Sequence, residues 1–144
     1  MTHVRPVDRR LAVGIQVTIR ACATLAVVGI FAQGLSAGEI LGGFPAAVGW
    51  HAAGAVVVQV LTAVTAAAAF AWWRLARGAR WPVLMAAVVC VASVAQARFG
   101  AGVTLTVHVP LALLLMIGAC LVAAWAWLDR GPVRPRSAGG AAGA

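Results

Sequence analysis

Four apolar runs, at residues 11–36, 46–73, 81–96 and 103–127, make up most of the chain, and short polar or glycine-containing stretches separate them. A helix needs about 20 apolar residues to cross the roughly 30 Å hydrocarbon core of a bilayer. The runs meet that length, the third by continuing through Phe99. The pattern therefore predicts an all-α integral membrane four-helix bundle running up-down-up-down. Gly42, Gly43 and Pro45 break the first run from the second. Arg77, Gly78, Arg80 and Pro82 fill the next junction, and Gly100 with Gly102 the last. Residues 1–10 are polar and basic, and the run after them lacks an early small-residue cleavage site, so a retained first span is expected. Residues 129–144 carry Pro132, Pro135 and a Gly/Ala run with nothing to bury, and read as a disordered tail.

Charge sets the expected orientation. Of 144 residues, 63% are hydrophobic; all eleven cations are arginine, against three acids, for a net charge of +8. Arg5, Arg9 and Arg10 precede the first span, Arg74, Arg77 and Arg80 fill the second junction, and Arg130, Arg134 and Arg136 follow the last span. The positive-inside rule puts those three places, and with them both termini, in the cytoplasm of a multi-pass cell-membrane protein. Trp72, Trp73, Trp81, Trp125 and Trp127 then form an inner belt, and Trp50 lies near the outer surface. With no basic helix and no aromatic-interleaved patch, a nucleic-acid partner is not expected. Arg20, inside the first span, is expected to snorkel past Gln16 to the headgroups. Arg98 is the one cation near the outer ends, suited either to anchoring at the interface or to pairing with a bound anion.

Cys22, Cys90 and Cys120 all lie within apolar runs without CxxC spacing, which predicts inert buried thiols and excludes the paired redox motif of quinone-linked disulfide-forming enzymes. The remaining chemistry rests on His51 and His108. Counted from Pro45 and from Gly102, each falls about 8–9 Å into its span from the outer side. Pro110 frees the Thr106 carbonyl, so the fourth span either kinks there or starts later, leaving His108 nearer the surface. Ionisable groups within spans are functional candidates. A bare metal ion needs a third or fourth ligand and a proton relay needs a chain of acids, and neither is near. Two imidazoles from different helices can hold a haem iron from both faces. Gly54 and Ala112, each one turn after a histidine, would let a ring approach. Leu111, Leu115 and Val58 could line its edges, and Arg98, Gln96, Gln33 and Trp50 would meet its propionates. The glutamines could equally bond between helices.

The segment before each outer connection repeats. Residues 28–33 read VGIFAQ and residues 91–96 read VASVAQ, each followed by a histidine-bearing span. Two helical hairpins related by an approximate two-fold axis along the membrane normal would set His51 opposite His108.

Residues 49–74, GWHAAGAVVVQVLTAVTAAAAFAWWR, and 103–127, VTLTVHVPLALLLMIGACLVAAWAW, resemble the histidine-bearing helices of one four-helix half of the haem A synthase family. They are also similar to small uncharacterised four-span bacterial membrane proteins of that pattern. The resemblance covers about residues 24–128 and rests on the two histidines, their helix positions and the Gly/Ala that follow. It implies one b-type haem ligated by His51 and His108. The family's catalytic half has a glutamate one turn before a histidine and an arginine directly after it. Ala47 and Ala52 stand there in this chain, and the outer-loop cysteine pair is missing, so oxidation of a haem methyl group is not implied. Two-haem transmembrane cytochromes need four histidines at two depths, whereas the third histidine here, His3, is in the polar N-terminal segment.

The leading expectation is a b-type haem protein serving electron transfer, haem handling or redox sensing, with no catalytic constellation of its own. Its partners would be the lipid bilayer, a redox protein or quinone, and further copies of the chain. A non-catalytic subunit packing on a partner through residues 66–69 is the alternative. A four-span exporter is a third reading, disfavoured because Glu39, Asp8 and Asp129 all lie outside the apolar runs.

Overall fold

The structure, a computed structural model, describes residues 9–76, 79–100 and 105–129. It contains four long helices, α1 (Arg9–Leu41), α2 (Ala46–Ala76), α3 (Trp81–Gly100) and α4 (Leu105–Leu128), each long and apolar enough to cross a membrane. Each helix packs on two neighbours, α1 and α3 both lying against α2 and α4. The diagonals are thus α1 with α3 and α2 with α4. The expected all-α bundle is present, and no strand occurs among the described residues. Residues 1–8, Arg77, Gly78, Gly102 and the tail beyond Asp129 lie outside the described part.

Helix ends follow backbone chemistry more closely than hydropathy. α1 continues to Leu41, five residues beyond the apolar run, because its stop signal is Gly43. Gly43 has φ 87°, the left-handed conformation that suits glycine. Around it, Phe44 N–H donates to the Glu39 carbonyl at 3.0 Å and Gly43 N–H to the Ile40 carbonyl at 3.1 Å. These two bonds form a Schellman cap, which answers carbonyls that the end of the helix leaves without a partner. The first connection therefore shrinks from the expected 37–45 to 42–45, and holds α1 and α2 as a tight hairpin. α2 starts at Ala46, one residue after Pro45. α3 carries Pro82 in its first turn, where no N–H is required, and runs past Phe99 as expected.

The core is a column of small and branched side chains. Near the histidine end Ile30, Val58, Val89, Leu115 and Ala119 pack together. Below them lie Ala23, Ala69, Ala86 and Val122, then Ile19, Trp72 and Ala126. Small residues bring the helices close: a Cβ at Gly118 would lie 2.8 Å from a Val89 methyl, and one at Gly29 2.9 Å from a Val58 methyl. Ala69 is fully buried, and Ala66 and Ala68 pack against this column. Residues 66–69 are thus mostly bundle interior, correcting the expectation that they form a partner-binding face.

The Arg20 guanidinium turns toward the arginine-rich end of the bundle and onto the end of α4. Nε donates to the Ala126 carbonyl at 2.9 Å and Nη2 to the Asp129 carbonyl at 3.0 Å, with the guanidinium 5.3 Å from the Trp127 ring centre. Gln16 donates to the same Asp129 carbonyl at 3.0 Å, and Trp72 Nε1 to the Asp129 carboxylate at 2.9 Å. The last carbonyls of a helix have no partner within it and carry the negative end of its dipole, so a cation within reach is drawn there. The expected tryptophan belt is assembled at this end. Trp81 meets Trp125 edge-on at 6.3 Å, and Arg74 and Arg80 stand 6.0 and 5.5 Å from the Trp73 ring centre.

Replacing Arg20 with Met should cost about 1.5–3 kcal/mol, the range for hydrogen bonds to a charged group. Arg20→Lys, with no planar fork, should recover only part of it. Thermal unfolding in detergent measures the loss; an unchanged melting temperature would contradict this role.

Candidate functional site

The two histidines ride on diagonal helices, His51 at the sixth position of α2 and His108 at the fourth of α4. Although α2 and α4 do not pack on each other, the two rings meet across the bundle axis. Their centroids are 6.4 Å apart and their planes tilted by 49°. The other diagonal supplies the surroundings. α1 brings Gln33 and Ser36 to His51 and Gly54, and α3 brings Gln96 and Gly100 to His108. The repeated segments thus end in equivalent glutamines that flank the two histidines. Pro110 lies inside the described helix α4, in its second turn, and His108 stands level with His51.

Ser36 orients the His51 ring. Its Oγ lies 2.9 Å from His51 Nδ1 and donates to the Gln33 carbonyl at 3.1 Å. A hydroxyl has one proton to give. With that proton on the Gln33 carbonyl, Nδ1–H of His51 is the donor to Ser36, and the ring's lone pair sits on Nε2. Fixing one ring nitrogen with a second-sphere partner is how imidazole ligands are commonly oriented. His108 is held differently. Its Nδ1 is buried without a hydrogen-bond partner among the described residues. A Cβ on Gly100 would lie 2.9 Å from its Cε1, so only glycine leaves room for the ring.

The polar groups around the rings are incompletely matched. Gln96 Nε2 donates to the His108 carbonyl at 2.8 Å, while its Oε1 is buried without a partner among the described residues. Gln33 lies so close to Gly54 that a Cβ there would overlap its amide nitrogen. Of the other expected site residues, Val58 and Leu115 form the buried floor, and Leu111 and Ala112 are half-buried on α4. Trp50, 71% exposed, and Arg98 in the last turn of α3 stand on the outside, and neither contacts the ring pair. Sequence reasoning missed Ser36 and Gly100. Ser36 was detectable as the residue one turn beyond Gln33, whereas Gly100 carried only the signal of a helix break.

Two imidazoles that bind one metal ion from opposite sides, each at about 2.0–2.1 Å and with about 1.1 Å from nitrogen to ring centre, have centroids about 6.3 Å apart. The observed 6.4 Å matches that span. No group of three or more His, Cys, Asp or Glu that could hold a metal occurs among the described residues. No protein-family model, curated protein or solved structure matches the chain.

In ligand-free protein labelled with ¹⁵N-histidine, NMR should report His51 with its proton on Nδ1, and Ser36→Ala should turn this into a mixture of tautomers. A His51 protonated only on Nε2 in the parent protein would contradict the assignment.

Proposed function

We propose that the chain is a small integral membrane b-type haem protein in which His51 and His108 ligate one haem from its two faces, near the outer surface. The observation that carries this reading is the 6.4 Å ring separation between diagonal helices, at the bundle axis and without any third ligand. Three further features fit a haem. Gly54 and Gly100 make room for the Gln33 amide and the His108 ring, Val58 and Leu115 give an apolar floor, and Gln96 Oε1 and His108 Nδ1 have unmet hydrogen-bonding capacity. Bound in this way, haem would supply a one-electron couple with both axial positions filled, which favours electron transfer over oxygen chemistry.

The chain's own contribution is positional. Ser36 would keep the His51 lone pair on Nε2, Gly100 would set the His108 ring, Gln96 would hold the His108 carbonyl, and Gln33 would offer an amide donor to a polar edge of the macrocycle. Arg98 and Trp50 stand at the rim, within the region where propionates would emerge. Ala47, at the position of the family's catalytic glutamate, is buried and carries no acid, so methyl-group oxidation forms no part of the proposal. An orientation with both termini cytoplasmic rests on the arginine distribution, and would turn the histidine end toward a redox protein or quinone outside.

Purified protein should be red, with a Soret band that sharpens and shifts on dithionite reduction. The band should disappear in the His51→Ala, His108→Ala double variant. A colourless preparation that takes up no added haem would overturn the proposal.

A further inference from the structure

A polar side chain at the middle of α2 has no use in the histidine site and no partner among the described residues. Gln59 lies thirteen residues after Ala46, about 20 Å along a helix whose ends are marked by Pro45 and Arg74. That places it near mid-bilayer, too far from either interface for an amide to reach water. The other polar side chains at depth are answered. Thr62 and Ser93 bond each other at 3.1 Å, Thr65 donates to the Leu61 carbonyl, and Trp127 donates to Thr24. The Gln59 side chain makes no hydrogen bond among the described residues, and it is partly open to the outside of the bundle. An amide left in hydrocarbon without a partner costs several kcal/mol.

Gln59 sits about 100° around α2 from the core-facing Val58, on the flank between the interior and the lipid face. In the same sector Ala63, one turn after Gln59, and Ala52, two turns before it, are exposed, and Ala55, one turn before it, is half-buried. A second helix can therefore approach closely at this level. We infer that Gln59 is the centre of a homodimer interface, bonding Gln59 of a second copy of the chain. An amide carries both donor and acceptor and complements itself. Copies inserted in one orientation and related by a two-fold axis along the membrane normal present their Gln59 residues to each other at one depth. The proposal is independent of haem binding and leaves the histidine end of each copy free.

Light scattering of the full chain in mild detergent tests this directly. The protein component should weigh twice the 14.6 kDa chain. Gln59→Leu should raise the dimer dissociation constant about 3- to 20-fold, the range that interhelical hydrogen bonds within membranes support. Its far-UV circular dichroism should be unchanged. In a variant lacking Cys22, Cys90 and Cys120, Gln59→Cys should cross-link on oxidation and Val57→Cys, on the opposite flank, should not. A parent protein that is monomeric at all concentrations, a dimer indifferent to Gln59→Leu, or a stoichiometric different protein cross-linked at position 59 in native membranes would each overturn the inference.

Discussion

A polar group carried into hydrocarbon must be answered by protein, from the same chain or a neighbouring one, because no water is there to do so. That constraint organises the bundle from end to end. At the arginine-rich end it draws Arg20, Gln16 and Trp72 onto the terminus of α4, locking three helices together. At mid-depth it pairs Thr62 with Ser93 across α2 and α3 beside a cavity of about 10 Å³, the size of one water-sized sphere, lined by residues of all four helices. At the histidine end the rule is only half obeyed. His51 is answered by Ser36, but His108 Nδ1 and Gln96 Oε1 are left buried without partners among the described residues. Apart from Gln59, which faces outward at mid-depth, the unmatched polar atoms of the described residues are thus gathered around the ring pair.

The difference between the two histidines follows from the helices that carry them. α2 is entered through a tight, capped connection, and its partner α1 runs long enough to bring Ser36 level with His51. α4 has Pro110 in its second turn, and α3 offers His108 a glycine where α1 offers a hydroxyl. The two hairpins thus keep equivalent glutamines but diverge in how each ring is oriented. One imidazole is held by a hydrogen bond and the other by shape.

Much of the fold was legible in the sequence because its physics is one-dimensional. Span number, hairpin order and the tryptophan belt follow from apolar run length and from the placement of arginine and tryptophan. Pairing His51 with His108 was legible too, through equal depth and the weak repeat. Interactions that depend on which helix face meets which neighbour were not legible. The partners of Arg20 were not legible, because nothing along the chain says that the carbonyls of residues 126 and 129 end beside it. Residues 66–69 looked like a docking face because alanine is equally suited to a close internal contact and an external one. Ser36 and Gly100 matter only through neighbours fifteen and eight positions away, and their own residue types are ordinary.

The central claim is that both imidazoles bind one iron across the bundle axis. Electron paramagnetic resonance of the oxidised, haem-loaded protein tests it most directly. A low-spin ferric signal is predicted for the parent protein, becoming high-spin in His51→Ala and in His108→Ala separately. A high-spin parent signal, or a low-spin signal that survives either single substitution, would contradict the account.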